Sequence, residues 1–340
     1  MRKYVAALLG AAVGAAMTAS AAHAETTLRV ANWLPPTHPI MKDMVVPWGK
    51  MVEEATKGKV KVEVLPAPLG APPAHFDIAK DGIADVTYSV HGYTPGRFAL
   101  TDVAELPFLG NSAEAISIAY WRTTEKYFAK ADEHKGVKLL SVFVHGPGHI
   151  FNAKRPIKAV GDLKDLKIRV GGGIINDISK ELGIVPIHAP SPKSYEILTN
   201  GVADGIMFPS ESVPFFKIDK ALKYMTEVPD GLYNTSFFLV MNQAKFESLS
   251  KDEQAALMSV SGEAFARLAG KAWDAADAAG MTAIKAAGIE VSKLDDAAMA
   301  ELKKRLAFAE AKWLDKAKER GVDGPAALSY MRAEIAKLSK

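Results

Sequence analysis

The run Gly82-Ile83-Ala84-Asp85-Val86 is echoed by Gly201-Val202-Ala203-Asp204-Gly205-Ile206, and each directly follows a short segment with helical spacing, residues 75–80 and 194–199. One local grammar used twice constrains the chain to two units of similar topology, although so short an echo does not establish duplication. In the first unit, residues 27–30 read as a strand, 40–56 as an amphipathic helix, 60–65 as an alternating strand and 82–88 as a third strand. In the second, residues 166–170 read as a strand, 174–182 as a helix and 185–188 as a strand. Alternation of this kind predicts the α/β class, with two lobes built from βαβ units.

Length agrees with two lobes. Residues 1–24 carry Arg2 and Lys3, then an apolar run too short to span a bilayer, then Ala22-His23-Ala24, the pattern of a cleaved signal peptide. Of 340 residues, 340 − 24 = 316 then remain, more than the roughly 250–300 at which a single core stops growing. Losing Arg2 and Lys3 lowers the formal net charge from +3 to +1, so no electrostatic bias favours nucleic acid or anionic lipid. No later stretch reaches about 18 uninterrupted apolar residues, so no membrane insertion of the mature chain is expected. The absence of cysteine excludes disulfides, thiolate metal sites and cysteine nucleophiles. An exported, cysteine-free, two-lobed chain points to a bacterial periplasm.

Between the lobes, residues 137–144 read as a strand that ends in His145-Gly146-Pro147-Gly148, a break and a plausible hinge. Residues 235–241 read as another strand, and from Phe246 onward the chain reads as helix. Ser250-Lys251-Asp252-Glu253 is a capping box, residues 253–287 form an Ala-rich helix broken near Gly280, 295–320 a long charged helix and 325–338 a last one. The expected division is lobe I at 25–146 plus 234–275 and lobe II at 147–233 plus 276–340, with hinge strands between them. The long C-terminal helices would brace both.

Ligands of open α/β sheets bind beyond the carboxyl ends of the strands, which marks the loop from Trp33 to His38 and the loop around Tyr93. The same rule draws attention to Arg169, which ends a short strand immediately before Gly171-Gly172-Gly173 and a helix start. A desolvated guanidinium needs a charged or well hydrogen-bonded partner, internal or external. The glycine turn at Gly171 could bring backbone N–H groups to an anion beside it. It is not a phosphate loop, because the spacing of neither glycine-rich phosphate motif is present. His145 and His149 are separated by Pro147 and two glycines and do not share a helix face, so no metal pair is expected, and no cofactor is implied. A periplasmic hydrolase finds little support without a G-x-S-x-G elbow or H-E-x-x-H.

The residues also resemble a known family. The loop 33–39, Gly82 to Asp85, Arg155-Pro156-Ile157 leading to Leu166-Lys167-Ile168-Arg169-Val170, Tyr195-Glu196-Ile197-Leu198 leading to Gly201 to Gly205, and Asn242 with the stretch 246–253 are similar to the periplasmic solute-binding subunits of TRAP transporters, the DctP-like proteins. The resemblance implies a periplasmic-binding-protein fold, no enzymatic activity, an organic acid held between the lobes and delivery to TRAP membrane permease subunits. It implies that Arg169 makes a bidentate salt bridge to the substrate carboxylate. Two departures bear on the ligand: His149 stands near where many relatives carry a second arginine, and Phe208 stands where many carry an amide. They point to a monocarboxylate with an apolar or aromatic body, contacted by Arg169, His149 and Phe208 and lined by Trp33, Tyr93, His38 and Gly171. Hydroxy, keto, sugar or dicarboxylic acids, and ligand presentation to a sensor, stay open.

Overall fold

The structure, a computed structural model, describes residues 25–339; the expected signal peptide lies outside the described residues. Eleven strands fall in two sheets among these residues: β1 Thr26–Ala31, β2 Val60–Val64, β3 Val86–Val90, β4 Val137–Val144, β5 His149–Asn152, β6 Lys167–Val170, β7 Val185–His188, β8 Gly205–Phe208, β9 Tyr224–Glu227, β10 Ser236–Asn242 and β11 Glu290–Lys293. The first sheet runs β2-β1-β3-β10-β4 and the second β11-β9-β5-β8-β6-β7. In each, parallel βαβ pairing (β1 with β2 and β3; β6 with β7 and β8) is joined by antiparallel strands entering from the crossings. Strands such as β3 and β8 are buried along their whole length, as expected where helices cover both faces.

The sequence echo has a structural cause. Gly82 and Gly201 both adopt left-handed backbone (φ 71° and 67°) where a short helix ends, a conformation open to glycine at little cost. Three residues on, Asp85 and Asp204 each accept a backbone amide of the neighbouring strand, Arg29 N–H to Asp85 at 2.7 Å and Lys167 N–H to Asp204 at 2.9 Å. Each aspartate's own N–H donates back to that residue's carbonyl. The aspartates therefore stand before the strands, and β3 starts at Val86 rather than at the expected position 82.

The chain leaves the first sheet at Val144, enters the second at His149, and returns between Glu227 and Ser236. The two crossings run side by side: Gly148 N–H donates to Tyr233 O (2.8 Å), Leu232 N–H to Gly148 O (3.0 Å) and His145 N–H to Thr235 O (3.3 Å).

The C-terminal third departs from the expected pattern in three places. The Ala-rich segment is not broken at Gly280; it breaks at Val260-Ser261, and one helix, Gly262–Ala286, runs straight through. Gly280 is there for close approach, since a Cβ would lie 2.5 Å from the backbone of Ser210 and Glu211. The run 295–320 splits at Ala307 into helices Asp296–Leu306 and Phe308–Glu319. Between the helices, β11 extends the second sheet beside β9, a four-residue edge strand with little apolar signal. The expected capping box is present, Ser250 N–H to Glu253 Oε2 at 2.8 Å and Glu253 N–H to Ser250 Oγ at 3.3 Å. The helices Phe308–Glu319 and Gly324–Leu338 pack on residues 100–105 and on the helix Ala113–Thr123, while Lys312 pairs with Asp177 of the helix Ile174–Glu181 at 2.7 Å, so the tail touches elements next to both sheets.

Candidate functional site

Arg169 sits in β6, with Ile187 of β7 and Ile206 of β8 on either side, and is almost fully buried. Its Nε and Nη2 both donate to the carbonyl of Ala189, at 2.9 and 2.5 Å. Its guanidinium carbon lies 4.5 Å from the centroid of the Phe208 ring, which stacks in turn on Phe216 (5.6 Å, 14° between planes). Among the described residues no aspartate or glutamate forms a salt bridge with it, although many surface arginines and lysines do pair. Burial pulls its pKa down, with the hydroxyls of Tyr93 and Tyr233 acting in the opposite direction. Arginine keeps its proton under such conditions, so one carbonyl and two phenols surround a full positive charge.

Around it lies a narrow cavity of about 40 Å³, closed down around the guanidinium. The structure brings Trp33, His38, Tyr93, Gly171 and Phe208 to the cavity together with Arg169. Trp33 is oriented by its indole N–H, which donates to Tyr88 O at 3.0 Å, and it packs edge-on against Tyr93. Tyr93 links the two sheets, its hydroxyl accepting Ser191 N–H at 2.9 Å. His38 stands edge-on to Phe215 at 4.4 Å, and its Nδ1 accepts Ile40 N–H at 3.1 Å. Gly171 passes close to Arg169 Nη2, but left-handed backbone belongs to Gly172 and Gly173. A Cβ on Gly172 would come within 2.3 Å of Gly92 O, so these glycines serve backbone-to-backbone contact between the loop after β3 and the turn after β6.

His149 is the predicted contact that the structure does not bring to the cavity wall. It pairs with Phe208 across β5 and β8, and its Nδ1 accepts Val228 N–H at 3.2 Å. Burial pushes its pKa down to about 4, so it is neutral at pH 7. His145 lines the cavity in its place, with Tyr233, Trp273 and Ser212. These were missed because each comes from a segment without a local signature: the Gly-Pro-Gly crossing, the returning crossing, an Ala-rich helix and a proline-rich turn.

The electrostatics are one-sided. Burial pushes the pKa of His38 down to about 3 and that of His145 to about 4, which leaves both uncharged at pH 7. Behind His38, Glu211 Oε1 lies 3.6 Å from its Nε2, and burial pushes that carboxyl up to about 8. Asp277, which accepts Glu211 N–H at 2.8 Å, is pushed up to about 7, also by burial. Arg169 therefore supplies the charge of an aromatic-walled site, a combination suited to an anion with an apolar body. A larger recess beside Trp121 and Phe128 carries Glu125, Asp132 and Glu133 against Lys138, a lining richer in acids than in bases. Among the described residues no cluster of three or more histidines or acids could hold a metal ion.

Two α/β layers with a charged cavity at their junction define a solute-binding protein. The profile of bacterial extracellular solute-binding protein family 7, DctP, matches residues 30–315. The chain belongs to the DctP family, whose members are extracellular or periplasmic, and its role is that of a TRAP transporter solute-binding protein. It is similar to a TRAP periplasmic solute-binding protein from Bordetella bronchiseptica with bound (R)- and (S)-mandelate, at 47% identity over 92% of this chain and 99% of that one, with a TM-score of 0.90. A TRAP solute-binding protein from Rhodoferax ferrireducens, in complex with copurified benzoate, is 33% identical over 92% and 98% of the two chains, with a TM-score of 0.85. The outer membrane transporter protein TsaT of Comamonas testosteroni is 33% identical over 97% of both chains. The family and these structural neighbours are substrate-binding transport proteins. No helix among the described residues is long and apolar enough to cross a membrane.

Proposed function

We propose that this chain captures an aromatic monocarboxylate in the cavity around Arg169 and delivers it to TRAP permease subunits. The observation that carries the reading is a buried guanidinium with no carboxylate partner among the described residues, set over the Phe208 ring and beside Tyr93. A planar fork fits a carboxylate, and the low dielectric around it strengthens the pair. Trp33, Phe208 and Phe216 offer ring faces and edges to the rest of the ligand, and among the described residues that line the cavity no second lysine or arginine awaits a second carboxylate. The acids bound by the similar proteins, mandelate and benzoate, support the same class.

A thermal-shift screen tests this, because a ligand that binds only the folded state stabilises it by about 2.7 kcal/mol at a hundred times its Kd. Mandelate, benzoate and phenylacetate should raise the melting temperature by several degrees at millimolar concentration. Succinate and glucuronate should not. A dicarboxylate or sugar acid as the strongest stabiliser would refute the proposed ligand class.

A further inference from the structure

We propose that His145 is a specificity-determining residue of this site, accepting through its Nε2 a hydrogen bond from a hydroxyl beside the ligand carboxylate, so that 2-hydroxy carboxylic acids are the preferred class. The inference rests on the reading of Arg169 as the carboxylate partner and names the substrate more closely.

His145 follows β4 directly and is held by its backbone, its N–H donating to Thr235 O at 3.3 Å and its carbonyl accepting Asn234 Nδ2 at 2.7 Å. Its Nδ1 lies 2.5 Å from the carbonyl oxygen of Gly146. A carbonyl oxygen only accepts, so Nδ1 carries the proton. Burial and the nearby charge of Arg169 both disfavour a second proton, so Nε2 presents a lone pair. Tyr233, Phe237 and Trp273 hold the ring, with centroids 5.5 to 6.2 Å away in edge-on arrangements. No donor among the described residues reaches Nε2, yet unlike the ring nitrogens of His75 it is not shut off from accessible space.

That makes Nε2 different from the other polar atoms of the cavity. The hydroxyls of Tyr233 and Thr235 can rotate to donate to a carboxylate, and Tyr93 already accepts from Ser191. The Ser212 hydroxyl donates to Glu211 Oε2 at 2.9 Å. Nε2 can only accept. A ligand without a donor at this point would desolvate the lone pair and leave it unpaired, which discriminates against the analogue lacking the donor. The donor must be neutral, because an ammonium would be desolvated beside the Arg169 cation. A hydroxyl adjacent to the carboxylate satisfies both conditions.

Calorimetry with mandelate and phenylacetate, which differ by one hydroxyl, tests the proposal on the wild type, His145→Phe and His145→Gln. The wild type should prefer mandelate by on the order of tenfold. His145→Phe should reduce that preference to near unity, whatever its effect on the two affinities together, and His145→Gln, which keeps an acceptor oxygen, should restore part of it. Equal wild-type affinity for the two acids, or an unchanged ratio in His145→Phe, would overturn the role of His145. Failure of the wild type to bind either acid would instead overturn the carboxylate reading, and this inference with it.

Discussion

The guanidinium carbon of Arg169 and the ring of Phe208 lie 4.5 Å apart, and the second face of the site is built on that pair, because Phe208 is itself stacked on Phe216. The ring holds the cation in place without neutralising it, which leaves the charge for an anion. A carboxylate in place of the phenyl ring would cancel it.

Phe208→Leu keeps an apolar side chain and removes the π face. A desolvated cation–π contact is worth about 2 kcal/mol, so aromatic-acid affinity should fall by up to about thirtyfold. Titration calorimetry measures it, and an unchanged affinity would show that the ring is only packing.

The backbone contact between Gly92 and the turn after β6 leaves no room for a methyl group. A Cβ on Gly92 would stand 2.7 Å from Gly173 N and 2.8 Å from Gly172 C, neither of which can yield as a flexible side chain would. Overpacking of this kind costs 1–3 kcal/mol, so Gly92→Ala should weaken ligand binding by about tenfold through impaired apposition of the two lobes. Small-angle scattering with saturating ligand should show a less compact particle than the wild type.

Glu211 is an acid whose pKa is raised by burial from 4.5 to about 8. The folded form therefore holds the proton more tightly than the unfolded chain, so its contribution to stability is complete below about pH 4.5 and is lost as the pH rises toward 8. Glu211→Gln mimics the protonated acid. Its melting temperature should exceed that of the wild type by on the order of 5 °C at pH 8, and the difference should shrink toward pH 5. A constant or inverted difference would contradict the burial account.

His149 is expected to be silent between pH 6 and 8. With its pKa pushed down to about 4 and Nδ1 accepting Val228 N–H, it gains no charge in that range. Affinity for benzoate should vary by less than about twofold from this source. A fall in affinity with rising pH that His149→Ala abolishes would return His149 to the site as an imidazolium, whereas one that persists in the variant belongs to Glu211 or Asp277.

Much of this was readable in the sequence where a local pattern carries the chemistry. Arg169 stood out because a strand ends in a cation before three glycines, and the Gly82 and Gly201 echoes flagged a paired device in which an aspartate receives a backbone amide of the neighbouring strand. Trp33, His38 and Tyr93 were reachable through the rule that strand ends carry loops and loops carry ligands. What was not readable depends on long-range apposition. Trp273 reaches the cavity from an Ala-rich helix whose spacing says only that it is amphipathic. His145 was the less favoured of two histidines four residues apart, and the choice between them turns on the path of a Gly-Pro-Gly crossing. The strands β5, β9 and β11 are four residues each and take their conformation from their partners in the second sheet rather than from their own composition.

In the proposed complex the ligand's carboxylate meets Arg169. Titration calorimetry of wild type, Arg169→Ala and Arg169→Lys with the strongest acid from the thermal-shift screen, each variant first shown to be folded by circular dichroism, tests it most directly. Losing a buried charged contact costs on the order of 3 kcal/mol, so Arg169→Ala should bind about a hundredfold more weakly, and Arg169→Lys should recover little because an ammonium cannot form the fork. Affinity within about threefold of wild type in folded Arg169→Ala would contradict the account.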